Sequence, residues 1–335
     1  MKNRLLTLVI GMLAACTSWA VKPVNVIIET DMGNDIDDAL AFDLAYKAMD
    51  DGLLNILAVG AHKYSPTAVD YIDALNTWYG YGKIPIARST SPVINTELRD
   101  YTMPAVDMRK PDGKRLWKFS KKPADIEDPV KLYRRILAAQ PDTSVVFISL
   151  GFSTETAKLL DSKPDRYSPL NGKDLVKQEV KYLSIMGGSY GAKQRAEFNF
   201  VNDIPAAQKV FAEWPTKIIQ NPFEIGPKVK YRGKNIDKMF SWTKYHPVID
   251  AYKFFKKMPY DRQSWDLLSV IYVTYPEMFT EGEPGKVKVD DKGFTIFTPN
   301  PTGNVIVLDA TPEQLKQLDN YINTTTARKP KHFKK

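Results

Sequence analysis

The sequence predicts an α/β protein built on an open, mostly parallel (mixed) sheet with helices on both faces. Short apolar, β-branched runs alternate with segments of helical period through the first two-thirds of the chain. Polar and acidic clusters follow the strand-like runs, which is where open parallel sheets gather their sites. At 335 residues and 43% hydrophobic, the chain can bury a full core.

Val24, Val26, Ile27 and Ile28 read as a short buried strand, and Ala39-Leu40-Ala41-Phe42 with Leu44 and Ala45 as the start of a helix. Between them stand Glu29, Asp31, Asp35, Asp37 and Asp38, threaded with Gly33 and Asn34. Four aspartates within eight residues repel one another, and a hard cation such as Ca²⁺ or Mg²⁺ relieves that repulsion through oxygen ligands. The alternative is a solvated turn with Asp38 as a helix N-cap.

Residues 55–60 predict a second strand, 66–79 a helix with Ala68, Ile72 and Leu75 on one face, and 84–87 a third strand. Residues 89–128 are polar and rich in Pro and Lys, without a clean period, and predict a long surface excursion. A helix at 129–139, strands at 144–150 and 182–186, a helix at 203–211 and a strand at 217–220 follow. Two apolar runs within 294–308, separated by Pro299 and Gly303, predict a β-hairpin, and 312–321 a last helix. No repeat or linker divides 24–322, which reads as one domain, and 323–335 forms a basic tail expected to fray.

Lys2 and Arg4 precede an apolar run at 5–15, too short for a stable membrane anchor but suited to an export signal over 1–20. Leu13-Ala14-Ala15-Cys16 resembles a bacterial lipobox, while Ser18-Trp19-Ala20 suits ordinary signal peptidase. Both readings export the chain, to the periplasm or to a lipid anchor at Cys16. Cys16 is the only cysteine, so an intramolecular disulfide framework is excluded. The formal charge of +8 is concentrated in the leader and the C-terminal tail. No recognised nucleic-acid module accompanies it, so the basic residues read as a solvated face and no nucleic-acid partner is expected. Self-association stays open.

Together the clusters resemble the nucleoside hydrolase family, the metal-dependent N-ribohydrolases with inosine–uridine-preferring and purine-preferring branches. The family's first strand ends in Asp-x-Asp-Pro-Gly-x-Asp-Asp-Ala. Here it stands as Glu29-Thr30-Asp31-Met32-Gly33-Asn34-Asp35-Ile36-Asp37-Asp38-Ala39, with two extra residues and Met32 for the proline. The resemblance implies Asp31 as metal ligand and general base, Asp38 as a second metal carboxylate, and Asp37 on the ribose hydroxyls. Asp35 falls in the two-residue insertion, which could let it take over one of these roles. Val59-Gly60-Ala61-His62 aligns with a Gly-Asn strand end, so His62 stands for a ribose-contacting asparagine. Ile148-Ser149-Leu150-Gly151-Phe152-Ser153-Thr154 resembles a Thr-Gly-Pro-Leu-Thr segment whose main-chain carbonyl reaches the metal, here from Leu150. Met186-Gly187-Gly188 and Ala196-Glu197-Phe198-Asn199 match the pair that implies Met186, Glu197 and Asn199 on the substrate.

Ser264-Trp265-Asp266 aligns with the family's His-Asp, which implies Asp266 as the remaining metal carboxylate. Trp265 stands where the inosine–uridine branch has a base-protonating histidine, and the purine-preferring branch has tryptophan there. The resemblance thus implies Trp265 stacked on the leaving base, with ordinary core packing as the alternative. It spans 24–276 and implies the Rossmann-like nucleoside hydrolase fold, a Ca²⁺ cofactor, a ribonucleoside substrate and hydrolysis of its N-glycosidic bond to base and ribose. The loop at 108–117 lacks a histidine that many relatives carry, and the segment between Gly188 and Ala196 is short. His246 is expected to be half exposed, His332 inert, and Glu224 either a pocket residue or part of a plain turn. A phosphatase of the haloacid dehalogenase type is disfavoured by Glu29, where it requires an aspartate nucleophile. A family member that binds a nucleoside or sugar without efficient cleavage is the second reading.

Overall fold

The computed structural model describes residues 22–93 and 100–333; the expected export signal at 1–20, with Cys16, lies outside the described residues. Eleven strands are described: β1 (Val24–Thr30), β2 (Leu54–Lys63), β3 (Ile86–Val93), β4 (Val145–Ser149), β5 (Val180–Met186), β6 (Lys217–Asn221), β7 (Lys230–Tyr231), β8 (Arg262–Gln263), β9 (Thr280–Val289), β10 (Thr295–Pro299) and β11 (Val305–Asp309). All but β7 and β8, which pair with each other, form one sheet ordered β10-β9-β11-β6-β5-β4-β1-β2-β3. From β3 across to β11 every pairing is parallel, and β9 runs antiparallel to both β11 and β10.

Apolar residues populate both faces of the central strands because helices cover both. Val26 and Ile28 enter one core, shared with the helices Asp37–Asp50, Asp266–Thr274 and Pro312–Ala327, while Ile27 enters the other, shared with Pro129–Leu137 and Ile204–Glu213. Strand order reverses at β1, which lies between β2 and β4. A crevice therefore opens beyond the carboxyl ends of β1 and β4, the place where doubly wound sheets bind ligands.

Several expectations are corrected. The first helix starts at Asp37 with Ile36 as its N-cap, so Asp38 is not the cap but sits inside the first turn. Carboxylates are favoured there by the helix dipole. The strand expected at 55–60 runs on to Lys63, which puts His62 within β2. The region expected as a polar excursion contains the rest of β3, a helix at Thr102–Val106 and the buried Trp117, whose indole N–H donates to the Ala105 carbonyl at 2.8 Å. The hairpin expected at 294–308 does not form. Its two runs, β10 and β11, flank β9 instead of pairing with each other. β9 escaped notice because its alternation of Lys286 and Lys288 with Val287 and Val289 is half polar.

The tail is not frayed either. The last helix continues to Ala327, the Arg328 guanidinium pairs with Asp51 at 2.7 Å, and the Lys331 backbone N–H donates to Asp50 at 2.8 Å. A buried ion pair anchors this docking: Lys47 Nζ lies 2.8 Å from Asp43 Oδ2, with side chains 0% and 2% exposed. Lys47 also donates to the Thr326 carbonyl, and Tyr79 donates its hydroxyl to Asp43. Removing one partner of such a pair leaves an uncompensated buried charge. Asp43→Ala is expected to cost about 3–5 kcal/mol and to expose the last helix to limited proteolysis. The Asp43→Leu/Lys47→Met double variant should recover much of that loss in chemical denaturation.

Candidate active site

The carboxyl end of β1 turns sharply into the first helix. Gly33 takes a positive φ of 107°, and a Cβ there would stand 2.8 Å from the Asp100 carboxylate, so glycine is required. The turn delivers Asp37 and Asp38 to the helix N-terminus, facing the N-terminus of a second helix that begins at Asp266. Carboxylate oxygens of Asp37, Asp38 and Asp266 all lie within 4.8 Å of one another, and all three residues are buried. Asp37 Oδ2 accepts the backbone N–H groups of Trp265 at 3.0 Å and Asp266 at 3.1 Å. One carboxylate of the first turn thereby caps a helix more than two hundred residues away.

Asp38 accepts from the Thr30 hydroxyl through one oxygen, and its other oxygen is buried with no hydrogen-bond donor among the described residues. Asp31 accepts the Asn34 side-chain amide and adjoins Asp38. Burial is the largest influence on each carboxyl. It raises the Asp31 pKa, and raises those of Asp38 and Asp266 well above the usual carboxylate range, with repulsion from neighbouring aspartates adding for these two. Asp37 is pushed up to about 6 by burial, moderated by its two backbone donors. The Glu197 carboxyl, buried beside them, is pushed up to about 7.

An orphaned carboxylate oxygen among converging buried acids fits a cation, and an all-oxygen donor set suits a hard one. The trio differs from the expected ligand set in including Asp37, which the resemblance assigns to ribose. Leu150, just past β4, lines the same cavity, and its carbonyl accepts from the Asn199 amide at 3.1 Å. That amide also donates to the Met186 carbonyl at 3.2 Å, tying the ends of β4 and β5 together. Glu197 accepts backbone N–H groups from Asn199 at 3.1 Å and Gly188 at 3.3 Å. The cavity, about 430 Å³, brings together Asp31, Asp37, Asp38, Leu150, Met186, Glu197, Asn199, Trp265 and Asp266.

His62 is the expected site residue that does not line the cavity. It is fully buried, and its Nε2 accepts the Phe152 backbone N–H at 2.9 Å. A Cβ on Gly151 would lie 2.6 Å from His62 Nε2 and 2.7 Å from the Asp31 carboxyl carbon, so His62 and Asp31 close on the same face of Gly151, His62 sealed away from the cavity. Burial drives its pKa down to about 3, which keeps it neutral. Trp265 is half-buried at the cavity wall, stacked on Phe223 at 5.4 Å and 30°, and donates its indole N–H to the Phe223 carbonyl at 3.0 Å.

Asp35 turns to Arg262, whose Nε donates to it at 2.8 Å, and so does not join the acid cluster. His246 is buried rather than half exposed, enclosed by Trp78, Tyr79, Phe240 and Trp242. Glu224 clamps the short loop after β5, accepting from the Ser189 hydroxyl at 2.6 Å and from the Tyr190 and Gly191 backbones at 2.9 Å. Sequence reasoning missed Phe223, Phe255, Arg195 and Arg262 as lining residues. Arg262, three residues before Trp265, lay near a recognised motif; Phe255 had no local signal.

The family profile described as "Inosine-uridine preferring nucleoside hydrolase" matches residues 26–328. No curated protein sequence matches the chain. Among solved structures, the plant nucleoside hydrolase PpNRh1 superposes with a TM-score of 0.67 at 19% identity, covering 92% of this chain and 100% of that one. The purine-preferring ribonucleoside hydrolase of Gardnerella vaginalis gives 0.66 at 16%, covering 90% and 99%. The type III effector XopQ, in complex with adenosine diphosphate ribose, gives 0.65 at 14%, covering 92% and 95%. At these identities the likeness is one of fold. With the profile running from the first strand to the end of the last helix, the chain belongs to the inosine-uridine preferring nucleoside hydrolase family.

Proposed function

We propose that the protein hydrolyses the N-glycosidic bond of ribonucleosides, with Ca²⁺ as its cofactor and with base and ribose as products. The observation that carries this reading is the convergence of Asp37, Asp38 and Asp266, buried, mutually repelling and with one oxygen unanswered, at the switch point of the sheet. These three, with Asp31 and the Leu150 carbonyl, would hold the ion. When bound, Ca²⁺ supplies Lewis acidity toward water and the ribose hydroxyls.

The chain's own groups do the rest. Asp31 takes the proton of the attacking water, a role suited to a carboxylate whose burial raises its basicity. Glu197 and Asn199 are positioned by their backbone contacts to bind sugar hydroxyls and hold the ring in register. The negative floor favours positive charge at the anomeric carbon as the bond to the base stretches. Trp265, half-buried at the cavity wall and backed by Phe223, offers an aromatic surface to the base. His62 acts as a positioning residue beside Asp31, fixing the Gly151–Phe152 backbone, not as a contact to ribose.

The second reading, binding without efficient cleavage, is favoured by one observation: no histidine lines the cavity among the described residues, so no imidazole acid faces a leaving base. A nucleoside panel assayed for reducing-sugar release, with and without chelator, separates the two. Cleavage is expected, lost on chelation and restored by Ca²⁺. Asp31→Asn is expected to lower kcat about 10²–10⁴-fold with its melting temperature retained; wild-type turnover in that variant would refute its role as base. Calorimetric binding of a nucleoside with no ribose released would establish the second reading.

Stability should carry the same signature. Asp37 and Glu197 titrate in the folded chain near 6 and 7, above their unfolded values of about 4. Their stabilising contribution is complete below about pH 4 and is lost as pH rises through 6 and 7. The melting temperature of the metal-free protein should therefore fall between pH 5 and pH 8, and added Ca²⁺ should raise it most at pH 8, where the ligands are deprotonated. A metal-free melting temperature that climbs over this range would contradict the raised acids. For the base, Trp265→Ala should reduce kcat/KM for purine ribosides by about 2- to 10-fold, and less for pyrimidine ribosides, in steady-state assays.

A further inference from the structure

Charge is segregated along the depth of the cavity. Its floor is acidic, and two arginines, Arg195 and Arg262, reach the same cavity over its aromatic walls. The Arg195 guanidinium carbon lies 3.9 Å from the centre of the Phe223 ring, while that of Arg262 lies 5.3 Å from Trp265 and 5.4 Å from Phe255. The two cations are not equivalent. Arg262 is answered by Asp35 in a two-pronged pair. Arg195 is exposed and has no carboxylate partner among the described residues.

The segment carrying Arg195 is also held in place. Its backbone N–H donates to the Ser189 hydroxyl at 3.2 Å, and that hydroxyl in turn donates to Glu224 at 2.6 Å. Contact with the Phe223 ring holds the guanidinium in place without an oxygen acceptor for its N–H groups among the described residues. The N–H donors along its edge stay available, and their fork matches the oxygens of a phosphate.

We propose that Arg195 forms an anion subsite at the rim of this cavity, taking the phosphate of a phosphorylated ribonucleoside whose ribose rests on the acidic floor and whose base lies along the wall at Trp265. This deepens, and rests on, the reading of the floor as a ribose site. A phosphate brings close to two negative charges and three acceptor oxygens at neutral pH, which an unpaired, pre-stacked arginine is built to receive. A cation at the mouth also draws an anionic ligand toward a cavity whose floor is negative.

Calorimetric titration of the full chain in Ca²⁺ buffer with inosine and with inosine 5′-monophosphate tests this, with ribose release from inosine measured in parallel. The monophosphate is expected to bind about tenfold tighter or better at low ionic strength, the preference shrinking in high salt. Arg195→Ala should remove that preference, Arg195→Lys should retain part of it and Arg195→Glu should invert it, with melting temperatures confirming the fold of each. Equal or weaker binding of the monophosphate by the wild-type chain, or a preference unmoved by Arg195→Ala and Arg195→Glu, overturns the subsite. Ribose release without a phosphate preference leaves the hydrolase reading standing and removes this one. A phosphate preference without ribose release does the reverse. Binding of neither ligand removes both.

Discussion

Four carboxyl groups, Asp31, Asp37, Asp38 and Asp266, are held together where water cannot separate them, and the rest of the cleft is arranged around that repulsion. Left to themselves, like charges at such distances push the chain apart. Two devices oppose this within the protein. Both helix N-termini at the site present partial positive charge to the acids. Asp37 spends one oxygen on the backbone of Trp265 and Asp266, locking the second helix to the first. What remains, above all the unpartnered oxygen of Asp38, is the demand for a cation.

Around this floor the walls follow from ordinary packing and polar satisfaction. Asn199 joins the ends of β4 and β5 through the carbonyls of Leu150 and Met186. Glu197 is oriented by backbone donors on both sides of the short loop that Glu224 clamps. His62 fills the space beside Asp31 over Gly151, and its neutrality, enforced by burial, spares the acids a competing charge. The floor suits hydroxyls and a hard cation, the walls a flat base, and the rim an anion. Each layer is chemically distinct, so a ligand that satisfies all of them has little freedom in how it lies.

Much of this was legible in the chain before folding was considered. The acid knot at Asp31 to Asp38 stood at a predicted strand end, the Glu197-Phe198-Asn199 segment and the Trp265-Asp266 pair stood out by resemblance to the family's motifs, and residues of all three line one cavity. The strands of the parallel sheet were located through β6 because strands buried on both faces are continuous apolar runs. The helices at Thr154–Asp161 and Gly172–Glu179, between β4 and β5, went unpredicted. So did β9, whose outward lysines and glutamates dilute the signal, and β10 and β11 were therefore mistaken for partners. His62 and His246 were misjudged for a related reason. Local polarity says nothing about whether the surrounding fold encloses a ring, and here one is sealed beside Asp31 and the other in an aromatic cage.

The sequence by itself determined the fold class and the order of the parallel strands through β6, because hydrophobic periodicity is local. It also determined that carboxylates would crowd at the end of β1. Only the tertiary structure decided how those acids are shared out: Asp35 goes to Arg262, Asp37 to the far helix, and Asp38 and Asp266 meet it to complete a trio. It alone decided that Phe223 and Arg195 would stack at the mouth. Spacing along a chain limits which residues can neighbour each other within one element. Which elements face one another, and hence which charges are answered and which are left for a ligand, is settled by packing across the sheet.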